Sequence, residues 1–171
     1  AALARQSPAA RSTLFALGAA PGPLPPAVLE DVDALERAGL VRRTEDERWE
    51  LVNQILSSPD LLTVGESDRR KAMERLAALE DLSAHQRAEY LLAAGRPAEA
   101  MEAALFAATG PLARADQASA LLTAARAAMQ RRAAGELGDD ELHPLLVDAA
   151  RALNDSTRFG EASEVLAEVV S

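Results

Sequence analysis

From Ser83 onward, every stretch between turn signals has helical periodicity, and the packing positions are filled by alanine and leucine. Such small, straight faces suit helices that lie close together, and they leave little room for a sheet. Ser83-Ala84-His85-Gln86 is a capping box that opens a helix running to Ala94, and Gly95 stops it. Pro97 restarts the chain, and the helix from Pro97 to Ala108 packs through alanines until Thr109-Gly110-Pro111. Leu112 to Arg132 reads as one long helix, and Ala133 to Gly138 as a flexible connector. Asp139-Asp140-Glu141 place three carboxylates at the next helix start, where the backbone dipole favours them, with Pro144 expected in its first turn. That helix turns inward Leu145, Leu146, Ala149 and Leu153; Asn154 to Phe159 reads as a turn and Glu161 to Val170 as the last helix.

The N-terminal part is more varied. Ser7-Pro8 caps and starts a helix carrying Leu14, Phe15 and Leu17 inward, and Pro21-Gly22-Pro23 stops it. A second helical pattern begins near Pro26 with Val28, Val32 and Leu35 on one face, open to a break at Asp31 or Asp33. At Leu40 the period changes. Leu40–Thr44 and Arg48–Val52 bracket the polar Glu45-Asp46-Glu47, which predicts a β-hairpin, the one convincing β signal in the chain. A further helix is expected to start in 53–58, 61–64 is ambiguous, and Ser67 is expected to cap a helix from about Asp68 to Glu80 with Ala72, Leu76 and Leu79 on one face.

Composition narrows the function classes. A net charge of −9 repels a phosphate backbone and an anionic bilayer surface. Zero cysteines exclude disulfides, thiolate metal sites and cysteine nucleophiles, and fit a reducing cytoplasm. No apolar run approaches the roughly 20 residues needed to cross a bilayer. Lys71 is the only lysine among 18 basic residues, which with the abundant alanine suits a GC-rich coding sequence. A start without methionine and an end just after an apolar helical run read as a piece cut from a longer protein.

Two helix-turn-helix joints are alike: Ala94-Gly95-Arg96-Pro97-Ala98-Glu99-Ala100 and Ser156-Thr157-Arg158-Phe159-Gly160-Glu161-Ala162. Both resemble the middle of a tetratricopeptide repeat (TPR), where a tight turn precedes Glu-Ala on the second helix. Ala100 and Ala107 match the small positions of that repeat; at the second joint Ala162 matches and Val169 takes the other place. The joints lie 62 residues apart, neither one nor two periods of about 34, and the repeat's tryptophan, first-helix glycine and tyrosine are missing. The array is therefore TPR-like with irregular members.

The order of Ser7-Pro8-Ala9-Ala10-Arg11, Pro23–Leu29, Leu35–Arg43 and Leu91–Ala100 is similar to the middle of a bacterial STAND-type signalling ATPase, as in large transcriptional activators of the maltose-regulon type. The resemblance covers most of the chain through pattern and order. It implies a mainly α chain: a winged-helix-like domain with one β-hairpin over 1–58, a connecting helical segment over 59–82 and a TPR-like antiparallel helical array, an α-solenoid, over 83–171. It also implies a switch that is ADP-bound at rest and opened by a signal or protein on the array. No Gly-x-x-x-x-Gly-Lys-Ser/Thr motif occurs, so nucleotide chemistry would belong to a module outside this sequence.

The resulting expectation is a non-catalytic regulatory segment without a cofactor, which relays the binding of a protein or small effector through a winged helix that does not read DNA. The alternative is a DNA-binding winged-helix regulator with a helical effector domain. Glu30, Asp31, Asp33 and Glu36 against Arg37 make the helix that would enter a groove acidic, and phosphate contacts need the opposite sign. Residues assigned to partner binding are Arg42, Arg43, Trp49, Arg69, Arg70, Arg75, Tyr90 and Arg96. The plainer reading has the arginines on solvated faces and Trp49 in a small core. The neighbouring nucleotide-binding module is the first expected partner. Arg126, Arg131 and Arg132 form a second basic cluster near a helix C-terminus, and the plainer reading there is favourable helix-end charge. His85 and His143 are isolated and read as surface residues, Asp139-Asp140-Glu141 lack the spacing of a calcium loop, and Glu99 and Glu161 read as helix-start carboxylates.

Overall fold

The computed structural model describes residues 6–54, 63–111 and 113–170, and divides into two compact units, Ala1–Leu76 and Ala77–Ser171. The chain is mainly helical, with one small antiparallel sheet among the described residues.

In the first unit, α1 (Pro8–Ala19) starts where Ser7 Oγ accepts the Ala10 amide at 3.0 Å, with Pro8 at the first helical position. Leu14 and Leu17 are buried and Phe15 is half-buried. The second helical pattern divides at Asp31. Pro26–Val28 forms a single 3-10 turn, Asp31 takes a left-handed φ of 51°, and α2 (Val32–Arg37) follows with Leu35 buried and Val32 only partly so. Thr13 holds this break against α1: its hydroxyl donates to the Glu30 carbonyl at 2.7 Å and accepts the Glu30 amide at 2.8 Å.

Gly39 ends α2 with φ +68°, its amide bonded to Glu36 O and the Leu40 amide to Leu35 O. A positive φ there suits glycine, which has no Cβ to clash. β1 (Val41–Arg43) then pairs antiparallel with β2 (Trp49–Leu51) in the register Val41↔Leu51, Arg42↔Glu50, Arg43↔Trp49. A second β contact has no signal in the sequence pattern. Leu24 and Trp49 exchange backbone hydrogen bonds of 2.8 Å each way, so the segment after α1 lies along the outer edge of β2.

Of the helix start expected over 53–58, residues 55–58 lie outside the described residues, as do 61–62 of the ambiguous 61–64. α3 spans Glu66–Ala77, two residues earlier at its start and three shorter at its end than Ser67 capping and Glu80 had implied. The Arg69 amide bonds the Gly65 carbonyl, which puts Ser67 inside the first turn rather than before it. Ala72 and Leu76 are buried, while Leu79 falls beyond the helix.

The second unit is an antiparallel run of α4 (Ala84–Ala93), α5 (Pro97–Thr109), α6 (Arg114–Ala133), α7 (Asp139–Asp155) and α8 (Phe159–Val170), each packed on the next, with α4 also touching α6. The Ser83–Gln86 capping box forms as expected: Ser83 Oγ accepts the Gln86 amide and Gln86 Oε1 accepts the Ser83 amide, both at 3.2 Å. Alanines make the close seams, with Ala88, Ala104 and Ala124 joining α4, α5 and α6. The largest core gathers Leu122 and Ala125 of α6, Leu142, Leu146, Ala149 and Leu153 of α7, and Ala162 and Val165 of α8. Each leucine taken from water there contributes about 1.5–3 kcal/mol of transfer free energy.

Pro144 falls in the second turn of α7, since that helix starts at Asp139. It withholds a donor from the Asp140 carbonyl, but both residues are exposed and water can take the bond. α8 starts at Phe159 rather than Glu161. His85 is more covered than a surface histidine: its side chain is 20% exposed, with Nε2 3.6 Å from Glu89 and 3.5 Å from Thr123 Oγ1 on α6.

Candidate functional site

The hairpin presents its charged residues as pairs. Arg42 Nε donates to Glu50 Oε1 at 2.7 Å across the ladder, and Arg43 lies 3.2 Å from Glu47 in the turn. Both arginines are well exposed, so each pair contributes at most about 1 kcal/mol, but each also offsets a positive charge that a phosphate would need. Trp49 is 5% exposed and its backbone is held by Leu24, so the single tryptophan covers the core of this unit and offers no free anchor. On α2, Arg37 Nε donates to the Asp33 carbonyl at 3.2 Å, and Ser7 Oγ donates to Asp31 at 2.5 Å.

The three arginines assigned on α3 have separate partners. Arg69 stacks over the Phe15 ring, 5.6 Å from its centroid, a cation–π contact that half-buried Phe15 makes possible. Arg70 pairs with Glu66 one turn earlier. Arg75 reaches Glu30 at 2.8 Å and donates to Ser12 Oγ at 3.0 Å, with only 25% of its side chain exposed. These are ties within the unit rather than a shared basic patch.

In the second unit the two related joints have the same internal geometry. Gly95 and Thr157 both adopt a left-handed φ, +78° and +65°. At the first, the Arg96 amide bonds Leu91 O and the Gly95 amide Leu92 O; at the second, Arg158 bonds Leu153 O and Thr157 bonds Asn154 O. A two-pronged arginine then closes each turn. Arg96 Nε donates to Glu99 Oε1 at 2.6 Å and its second prong reaches Oε2, while Arg158 donates to Glu161 at 2.6 and 2.7 Å. Arg158 also donates to Ser119 Oγ on α6 at 2.6 Å, which fixes the turn against the neighbouring helix. The hydrogen bond from Arg158 holds the Glu161 carboxyl below its ordinary value, aided by the charges of Arg158 and Arg126 and opposed by partial desolvation. Tyr90 is buried on α4 just before the first joint; burial, then the charge of Glu89, pushes its hydroxyl pKa up.

Two members of the second basic cluster are also engaged. Arg131 lies 3.6 Å from Glu136, and Arg132 Nε lies 2.6 Å from Asp139 at the start of α7. Among the described residues, no group of three or more histidine, aspartate or glutamate side chains is placed to hold a metal ion, and no helix is long and apolar enough to cross a membrane.

Open grooves run along the helix seams of this unit. A mixed-charge cleft of about 560 Å³ lies between α6 and α7, lined by Arg114, Gln117, Asp148, Arg151 and Asp155. A cleft of about 550 Å³ lies where Ser83, His85 and Gln86 face Gly110 and Asp116. A third, apolar groove of about 360 Å³ follows the α7–α8 seam past Val147, Phe159 and Leu166. None of the eight assigned partner residues lines these three grooves. The i, i+3, i+4, i+7 spacing of Phe159, Ala162, Ser163 and Leu166 is the sequence signal for the third, legible only with Phe159 inside the helix. No protein-family model, curated protein or solved structure matches the chain.

Proposed function

We propose that this chain is a non-catalytic, protein-binding regulatory segment of a multidomain cytoplasmic signalling or transcription-regulatory protein of the STAND type. In this reading a degenerate winged helix is followed by a TPR-like docking array, and effector or partner binding on the array is relayed through the winged helix. The carrying observation is the charge pairing of the hairpin and the acidity of α2. Arg42 and Arg43 each face a carboxylate, and α2 is six residues long with Asp33 and Glu36 against Arg37. A groove-reading element needs unneutralised cations for phosphate and length enough to reach base edges.

The winged-helix reading is supported by element order. A helix, a one-residue bridge at Leu24 to the last strand, a short turn, a second helix and a hairpin follow in succession. The array reading is supported by antiparallel neighbours and the matched joints at Gly95 and Thr157. One feature departs from a strict two-helix repeat: the matched joints are α4–α5 and α7–α8, with α6 between, whereas alternation would pair α4–α5 with α6–α7. This supports an irregular array with its own register.

Two titrations test the proposal. Fluorescence anisotropy with labelled duplex DNA is expected to show no saturable binding at low salt. Tight binding that weakens steeply with salt would install the alternative, a DNA-binding winged-helix regulator with a helical effector domain. Calorimetric titration with an array of peptides and small effectors is expected to find saturable binding to the second unit, and silence across the array would remove the docking role.

A further inference from the structure

We propose that the groove between α7 and α8 docks a cationic amphipathic helix of a partner protein. This rests on the reading of the second unit as a docking array, and adds to it a place and a partner chemistry. Along α8, Phe159, Ala162, Ser163 and Leu166 recur at i, i+3, i+4 and i+7 and form one stripe; α7 lines the other wall with Val147, Ala150, Arg151 and Asn154 at the same spacing. Phe159 is 60% exposed, Leu166 45% and Val147 38%, and they are three of the five large apolar side chains so exposed among the described residues. Large residues at both ends of the α8 stripe with Ala162 and Ser163 between them make a trough. A helix with apolar residues at the same period fills such a trough.

Charge selects the partner. From Asp139 to Val170 the two helices carry Asp139, Asp140, Glu141, Asp148, Asp155, Glu161, Glu164 and Glu168 against their own Arg151 and Arg158, with Arg132 of α6 reaching Asp139. Both arginines face carboxylates already: Arg158 forks onto Glu161, and Arg151 lies 3.7 Å from Asp148. Two copies of this surface repel each other, and a cationic helix is attracted. Glu161, Glu164 and Glu168 lie around α8 from the Phe159–Leu166 stripe. They therefore act through the field rather than by contact, raising the rate of encounter and making it salt-sensitive, while the apolar anchors hold the complex.

The test uses the whole chain and two labelled synthetic helical peptides with the same leucine stripe, one with lysine on its polar face and one with glutamate, read by anisotropy. The lysine peptide is expected to bind saturably and more weakly as salt rises, and the glutamate peptide to bind at least about tenfold more weakly. The double variant Phe159→Ser/Leu166→Ser is expected to lose about tenfold or more in affinity for the lysine peptide, the scale of a single strong anchor. Leu166→Arg provides a second variant, expected to lose binding while its circular dichroism matches the native chain. Equal binding of both peptides would overturn the cationic assignment, and undiminished binding by both variants would overturn the groove. A native dimer in sedimentation that Leu166→Arg dissociates would assign the groove to a second copy instead. Loss of the groove with calorimetric docking elsewhere on the array would leave the broader reading in place, so the two can fail separately.

Discussion

Thr157→Gly should stabilise the protein. Thr157 occupies the left-handed position of the α7–α8 turn at φ +65°, the position that Gly95 fills at +78° and Gly135 at +75° in the other two turns of this type in the second unit. An L residue there brings Cβ against the backbone at a cost of about 1–2 kcal/mol, and a β-branched side chain is rare in this region. The Thr157 side chain is exposed and makes no hydrogen bond among the described residues, so its removal breaks none. Glycine returns about 0.4–1 kcal/mol of the gain through its freer unfolded chain. The net expectation is about 0.5–1 kcal/mol of added stability. In urea denaturation followed by far-ultraviolet circular dichroism this moves the midpoint up by a few tenths of a molar at unchanged slope, for m of about 1–3 kcal/mol/M. Gly135→Ala is the mirror experiment. A Cβ at Gly135 meets nothing within 4 Å, so its cost is purely conformational, about 1 kcal/mol in the destabilising direction. If Thr157→Gly were neutral or destabilising while Gly135→Ala cost the expected amount, the strain assigned to Thr157 would be wrong.

Leu146→Ala removes a fully buried side chain from the α6–α7–α8 core and is expected to cost about 2–5 kcal/mol by denaturant unfolding; a cost under about 1 kcal/mol would mean that core is not tightly packed. Because the folded-state pKa of Glu161 is lowered, its contribution is complete above the unfolded carboxylate value and is lost as pH falls through the folded value. Glu161→Gln should therefore be less stable than the native chain near about pH 7, and the gap should close on acidification; a gap that persists in acid would assign the effect to something other than the fork with Arg158. Tyr90 is the single tyrosine, so ultraviolet titration of its hydroxyl should give a midpoint above the ordinary 10.0 in the folded chain. The sign follows from the raised folded value: the contribution is complete below the unfolded pKa and is lost as pH rises through the folded one. A midpoint at or below the ordinary value would contradict its burial.

The legible features were those whose causes lie within a few residues. Ser7 and the Ser83–Gln86 box satisfy amides three residues away, Gly39 and Gly95 permit the left-handed turn that ends a helix, and Pro97 costs a helix nothing at its first position. The similarity of the joints at Gly95 and Ser156 was visible in the same way, because a tight turn and its Arg–Glu fork span only a few residues. The alternation across Leu40–Val52 disclosed the hairpin, but a single bridging residue such as Leu24 has no period to detect.

By itself, then, the sequence determined the helical nature of the chain, most helix ends, the hairpin over Leu40–Val52 and the acidic balance that sets it against phosphate. Tertiary structure decided which side chains were still available. Trp49 went to the core, Arg75 crossed to Glu30 and Ser12, Arg69 settled on Phe15, and His85 packed against Thr123 of α6. It also left Phe159 and Leu166 exposed beside Val147 as an open groove. The physical reason is range. Caps and turns are settled by hydrogen bonds between near neighbours, whereas burial and pairing depend on residues brought together from tens of positions apart, which no local pattern records.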